Sequence, residues 1–565
     1  MVIEIEVNGR KIKTQKGTLI LDALIANGIH VPTLCHMDGF KPSGACRICV
    51  VEVEGRPDLI PSCSFCVEES MKIQTHSAKV IRARKTILEL LLSNHTDGCL
   101  YCDRDNWCKL QDLASELNVS ERKLSGPVRR KKIDNTSQSI IRDPSKCILC
   151  SRCVRVCEEI QIVAALDFLN RGNRMEVGTV LGKGLNYTSC ISCGQCIQVC
   201  PTGALKEKSH LDQVGGLLND HHKIPVALID PAVYVTLGEY YGFKPSREFS
   251  SILVNALKRI GFQKVYGTGW GMEFQAGNLI NILMDRDSET DKGPLILSEC
   301  PSVVRYISQS RPDLLPRLVP LAPGRQLMTH LLREKVSKQT GRPVSDIVIV
   351  HLTSCITAKD ETVAASKKKD PDCFPDFALS TREVFRLVRL FGIQMESLAP
   401  ESQEDQIGPG ARSGHLSAIS GGYLEMLTRI LMARAPEISI TSEKAGKIKG
   451  PKDVKEICWE TENKRLVVSS ASSIVQFEAY LKEIKNKKRK IDLIEVMACP
   501  HGCINGGGQP CRGVDRNLRN RLKGILDWDE KFSGTQTLEN LDVPADINLH
   551  EEDIMASFVP RLITK

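Results

Sequence analysis

The chain has 565 residues, 42% hydrophobic and 25% charged, a composition that points away from disorder and fibres and predicts several globular domains. Its 76 Lys+Arg against 68 Asp+Glu leave a net charge of +8; with 5% aromatics and no recognition motif, nucleic-acid binding is disfavoured. No apolar run approaches the ~18 residues of a membrane span, and the N-terminus alternates like a strand rather than a signal peptide, so a cytoplasmic location is expected.

The 23 cysteines, without a secretion signal, read as thiols kept for metals rather than disulfides. In residues 1–80, short strands and turns surround Cys35, Cys46, Cys49 and Cys63, with Gly39, Gly44 and Pro61 close by. Four thiolates on loops suit a [2Fe–2S] cluster, with zinc as the alternative on spacing alone. Residues 81–125 open on a helical stretch from Val80 and continue to His95, Cys99, Cys102 and Cys108, a ligand set that by type alone fits zinc.

Residues 126–210 hold Cys147-x2-Cys150-x2-Cys153-x3-Cys157 and Cys190-x2-Cys193-x2-Cys196-x3-Cys200-Pro201. Two such runs are the bacterial ferredoxin pattern, in which the fourth cysteine of each serves the other cluster. Cys147, Cys150, Cys153 and Cys200 are therefore expected on one [4Fe–4S] cluster, and Cys190, Cys193, Cys196 and Cys157 on a second.

From 215 to 525 strand-like runs (Val226-Ala-Leu-Ile-Asp230, Asp346-Ile-Val-Ile-Val-His-Leu352, Ile491-Asp-Leu-Ile-Glu-Val496) alternate with amphipathic ones, predicting an α/β domain with a mostly parallel sheet. Ligands gather at the C-terminal ends of such strands, and Cys355 and Cys499 follow two of them. Residues 526–565 are expected to be a loop-rich acidic tail. The basic runs Arg129–Lys132 and Lys485–Lys490 read as solvated surface, with docking of an acidic redox partner as the sharper alternative.

The stretch Glu495-Val-Met-Ala-Cys-Pro-His-Gly-Cys-Ile-Asn-Gly-Gly-Gly-Gln-Pro510 brings Cys499 and Cys503 within one turn of each other, and its three glycines let backbone approach closely. Here the chain resembles the iron-only ([FeFe]) hydrogenases, whose third signature is E-x-M-A-C-x-x-G-C-x-x-G-G-G-Q-P. Residues 1–125 resemble the same enzymes and the large subunit of complex I. The resemblance implies a multidomain α/β protein: a β-grasp [2Fe–2S] ferredoxin domain, a His95-ligated [4Fe–4S] segment, a bacterial 2[4Fe–4S] ferredoxin domain and an α/β active-site domain. It also implies an H-cluster, a [4Fe–4S] cubane on Cys300, Cys355, Cys499 and Cys503. Cys503 would bridge to a diiron unit carrying CO, CN⁻ and a dithiolate, with Met497 beside it. A lone cubane is the alternative.

The surroundings depart from the family pattern. Glu299 stands where a proton-relay cysteine is expected, and Ala358 where a cyanide-holding lysine is expected, leaving Lys359 as the substitute. Leu279 and Ile282 replace two relay glutamates, with Glu273 the nearest carboxylate. Pro231-Ala232 replaces Pro-Ser, and Thr353 a methionine. The expected function is reversible H₂ oxidation and proton reduction, coupled through the accessory clusters to a ferredoxin or to a flavin/NADH-linked redox subunit in a hetero-oligomer. Slow H₂ sensing, or electron relay within a larger redox complex, is the alternative. Cys66, Cys373 and Cys458 read as ordinary thiols, and Cys511 as a weak candidate proton carrier.

Overall fold

The computed structural model describes residues 1–530 except 97, 105–106, 122, 125–131, 245–246, 287–292, 366–372, 402–412, 436, 445–453, 461–463 and 511–513. Cys511, Arg129 to Lys131 and the tail from 531 onward thus lie outside the described residues.

Alternation of apolar and charged residues makes β1 (Val2–Val7) a strand with Ile3, Ile5 and Val7 inward, paired antiparallel with β2 (Arg10–Gln15). Asn8 and Gly9 both take positive φ, the requirement of a two-residue hairpin turn. With β3 (Val50–Val53), β4 (Ile60–Pro61) and β5 (Lys72–Gln74) they form a sheet of order β2-β1-β5-β3-β4. Helix Ile20–Ala26 lays Ile20, Leu21 and Leu24 on it, giving the β-grasp domain its core. A second helix, Ala78–Ser93, begins where the Ser77 hydroxyl accepts from Val80 N–H.

The next domain is two short antiparallel pairs, β6 (Ile140–Arg142) with β9 (Leu205–Glu207) and β7 (Asp167–Leu169) with β8 (Glu176–Gly178). The third domain contains two sheets rather than the single mostly parallel one expected. The strands β10 (Ile224–Ile229), β11 (Lys264–Gly267), β13 (Ile347–Thr353) and β14 (Phe377–Ser380) lie in the order β11-β10-β13-β14, all parallel. Strands β12 (Leu295–Ile296), β15 (Ser439–Lys444), β16 (Lys455–Glu460), β17 (Arg465–Ser472) and β18 (Leu493–Met497) lie in the order β12-β18-β17-β16-β15, parallel only across β12, β18 and β17. Apolar periodicity identifies strands but not their neighbours, so the split was invisible in the sequence. Helix Val514–Glu530 carries regular structure past the expected boundary at 525. Among the described residues no helix is long and apolar enough to cross a membrane.

The ferredoxin and C-terminal domains meet backbone to backbone. A Cβ on Gly507 would stand 2.4 Å from Cys193 O, and one on Gly194 3.0 Å from the Gly507 Cα. Side chains stitch the same seam: Gln161 Nε2 donates to Ala498 O (2.9 Å), Gln195 Nε2 to Asn505 O (2.9 Å), and Thr357 Oγ1 to Ser192 O (3.0 Å). Beside it, buried Arg382 donates to both Glu207 carboxylate oxygens (3.0 and 2.7 Å), to Gly507 O (2.8 Å) and to Gln509 O (2.6 Å). Removing one member of such a pair strands the other charge in the interior. Arg382→Met is expected to cost about 3–5 kcal/mol in denaturant unfolding, and the double variant with Glu207→Gln to recover part of it; equal losses in both would leave the pair without a role at the seam.

Candidate active site

Each predicted quartet of cysteines is brought together. Cys35 is in hydrogen-bond contact with Cys46 and Cys63, and Cys63 with Cys49. In the ferredoxin domain, Cys147, Cys150, Cys153 and Cys200 line one small cavity of about 20 Å³, and Cys157, Cys190, Cys193 and Cys196 another of about the same size. These are the crossed groupings expected from the two runs. The loops repeat one geometry: Leu149 and Ser151 in the first run, Ser192 and Gly194 in the second, all have positive φ. Three of these lack the freedom of glycine, and such strain persists where a site demands it. The turn aims amides at sulfur, with Leu149 N 3.4 Å from Cys147 Sγ and Ser192 N 3.4 Å from Cys190 Sγ.

Cys99, Cys102 and Cys108 are electrostatic neighbours, and Cys102 Sγ rests against Gly203, where a Cβ would come within 2.7 Å. His95 Nδ1 lies 2.9 Å from Thr96 O; a carbonyl only accepts, so Nδ1 carries the proton and Nε2 is the ligand-competent nitrogen. Among the described residues no three His, Cys, Asp or Glu side chains close on one point as a single ion requires. Burial pushes Cys190 up to about 11 and Cys150 to about 12, so thiolates there need a cationic centre among them.

The last quartet sits between the two sheets of the C-terminal domain. Cys300 follows β12, Cys355 follows β13, and Cys499 and Cys503 follow β18, all at C-terminal strand ends. Gly502, at φ 91, makes the turn between the last two. The glycines after Cys503 serve close packing on neighbouring backbone: a Cβ on Gly506 would stand 2.5 Å from Ser354 O, and on Gly508 2.9 Å from it. All four cysteines line one cavity of about 80 Å³, with Glu299 and Met497 also on its wall.

Lys359 is not brought to this cavity. Its Nζ pairs with Glu383 (2.8 Å) and donates to Ala378 O (2.8 Å), buried on the far side of its helix, while Ala358 faces the cavity. Loop register is right for the position and wrong for the residue type, so the substitution foreseen for Lys359 does not occur. Glu273 is turned away too, accepting from Gly414 N (2.8 Å) and Ser413 Oγ (3.1 Å). Leu279 is fully buried in the core. Cys373 is buried beside Phe374, and Cys458 is buried in β16, whereas Cys66 is exposed. In the basic run 485–490, Lys487 pairs with Glu483 and Arg489 with Glu456.

Several polar groups of the wall were missed. Glu299 accepts from Gly324 N–H (3.1 Å) and Arg325 Nη1 (3.1 Å), and Arg325 also pairs with Glu361 (2.6 Å). Burial pushes Glu299 up from its ordinary value against the opposing pull of Arg325. Asp230 accepts from His351 Nε2 (2.8 Å) and Thr353 Oγ1 (2.5 Å), while Tyr423 donates to Gln275 (2.6 Å). An aspartate ending one strand and a histidine within the next carry no local signature that they meet.

Fold and site together define an iron–sulfur oxidoreductase in which ferredoxin-type domains lead to a cysteine-lined cavity. Residues 223–507 match the iron only hydrogenase large subunit, C-terminal domain, and residues 1–78 a 2Fe-2S iron-sulfur cluster binding domain. Residues 84–123 match the NADH-ubiquinone oxidoreductase-G iron-sulfur binding region, and 137–206 the ferredoxin-like domain of NADH-quinone oxidoreductase subunit 3. The chain is 30% identical to the NADP-reducing hydrogenase subunit HndD of Solidesulfovibrio fructosivorans, covering 98% of this chain and 96% of that one. Against iron hydrogenase 1 of Clostridium pasteurianum it is 28% identical, covering 94% of each. A variant of the [FeFe]-hydrogenase HydA1 of Chlamydomonas reinhardtii superposes with a TM-score of 0.47 at 20% identity, covering 58% of this chain and 90% of that one. The chain belongs to the iron-only hydrogenase family and is an [FeFe]-hydrogenase-like iron–sulfur oxidoreductase.

Glu495, on the same wall, accepts from Gly421 N (3.1 Å) and Leu424 N (3.3 Å), yet burial outweighs both and pushes it up to about 7. A carboxyl raised in the folded state favours folding below its unfolded value of 4.5, and that advantage is lost as pH rises through about 7. Between pH 4.5 and 7 the wild type should lose roughly 3 kcal/mol from this group, at about 1.4 kcal/mol per unit. Glu495→Gln should flatten that part of the stability profile in denaturant titrations; an unchanged slope counts against a neutral Glu495.

Proposed function

We propose that the protein is a catalytic hydrogenase subunit that interconverts H₂ with protons and electrons at an H-cluster. The observation that carries this reading is the size of the last cavity, about 80 Å³ against about 20 Å³ at each of the ferredoxin quartets. Four cysteines line each, so the extra space suits a second, diiron unit beside a cubane. Cys300, Cys355, Cys499 and Cys503 would hold that cubane, Cys503 bridging, with Met497 as a soft contact. The bound group supplies the making and breaking of the H–H bond and the exchange of electrons. The wall around it excludes water through Leu297, Val496, Ala232 and Ala358.

Glu299 is the carboxyl that would carry protons at the wall, oriented by Arg325 and Gly324. Electrons would arrive through [2Fe–2S] and [4Fe–4S] centres on the quartets already named. Cys35 and Cys46 share an apolar cluster with Cys150, and Cys102 packs on Gly203, so both outer sites adjoin the first ferredoxin centre. The second then adjoins the active site, since burial first and the Cys499 charge second push Cys193 up. The likeness to a subunit of an NADP-reducing hydrogenase supports a nicotinamide- or flavin-linked redox partner in a hetero-oligomer. Slow turnover, as in a sensor, is the second reading; it is favoured by apolar Leu279 where a relay carboxylate was expected.

Infrared spectra of protein matured with the diiron-assembly machinery should show CO and CN⁻ stretching bands that shift under H₂; their absence would reduce the protein to an electron relay. In that matured protein, Glu299→Gln should lower H₂ evolution by about 10²-fold or more and Glu299→Cys should keep or raise it. Equal rates in all three would remove Glu299 from proton transfer.

A further inference from the structure

The cavity wall carries one permanent cation. Among its described lining residues the basic side chains are Arg325 and His351, and His351 is engaged with Asp230. Arg325 is the second residue of helix Gly324–Thr340 and is 7% exposed. Its position is fixed by backbone: a Cβ on Gly324 would lie 2.7 Å from Met272 N, and one on Gly271 2.4 Å from Gly324 O, so the helix start is locked against helix Gly269–Asp285.

The guanidinium is clamped from three directions. Nε donates to Glu361 Oε2 (3.1 Å) and Nη2 to Glu361 Oε1 (2.6 Å), a planar two-pronged pair. Nη1 donates to Glu299 O (2.8 Å) and Glu299 Oε1 (3.1 Å), gripping the residue next to Cys300. Four of five N–H groups are thereby used, leaving one on Nη2. Burial alone would lower the pKa of Arg325, but Glu361 and Glu299 hold it above its ordinary value, with Cys355 adding to the effect. The charge is therefore permanent, buried and adjacent to the quartet.

An anionic group taken out of water needs a charged donor to offset its desolvation. The loop after Cys355 offers none, because Ala358 faces the cavity and Lys359 is spent on Glu383. We propose that Arg325 is the cationic anchor for the anionic, cyanide-bearing end of the group bound in this cavity, through its remaining Nη2 hydrogen. This rests on the hydrogenase reading above. Glu299 and Glu361 then act as positioning residues that hold the fork towards the cavity.

Infrared spectroscopy of the matured holoprotein tests this, alongside cubane iron content and thermal midpoint. In wild type both CO and CN⁻ bands are expected. Arg325→Met should lower CN⁻ and CO band intensity per cubane about tenfold or more while cubane iron is retained. Arg325→Lys keeps the charge without the fork; it should keep occupancy but shift the CN⁻ bands more than the CO bands. If Arg325→Met fails to fold, the Lys variant carries the test; if it folds, the double variant Arg325→Met/Ala358→Lys is expected to regain occupancy with displaced CN⁻ bands. Wild-type CN⁻ positions in the Lys variant, or undiminished bands in the Met variant, would overturn the assignment. Absence of all bands in the wild type would instead overturn the hydrogenase reading, and this anchor with it.

Discussion

The contact of Gly507 with Cys193 and Gly194 sets the geometry on which everything else in the molecule depends. Two loops from separate domains meet with no side chain between them, one carrying Cys499 and Cys503 and the other Cys190, Cys193 and Cys196. Because no Cβ fits at Gly507, the loops are held at backbone distance, and the buried Arg382–Glu207 pair closes the seam beside them. The separation between the second ferredoxin quartet and the last quartet is thus set by peptide contact in a close-packed interior.

That rigidity has an electrostatic consequence. The cavity wall gathers Asp230, Glu299 and Glu495 with Arg325 as its permanent cation; Glu495 and Arg325 are buried, Asp230 and Glu299 largely so. Charges so placed are tolerable only when paired or neutralised. Asp230 is held below its ordinary value chiefly by His351, against the opposing effect of burial. Glu299 and Glu495, by contrast, are pushed up. Carboxyls sharing one wall but driven in opposite directions by their partners are the usual arrangement of a site that must both hold charge and hold protons.

Much of this was legible in the sequence where ligand spacing is local. The two C-x2-C-x2-C-x3-C runs dictated crossed quartets, and the cavities contain those same eight cysteines. The alternation of residues 2–7 signalled the first strand, and the glycine run after Cys503 signalled close approach. Cys300, Cys355 and the Cys499/Cys503 pair are far apart in sequence; family likeness, rather than spacing, grouped them.

What the sequence determined by itself was therefore the identity and order of the cluster-type loops, because backbone turns over three or four residues depend on nearby residues alone. Tertiary structure decided the rest: the division of the last domain into two sheets, the turning of Lys359 towards Glu383, and the placing of Arg325 on the cavity wall. Each of these depends on which distant segments pack together, and a side chain three residues from a ligand can face either way until its helix is seated.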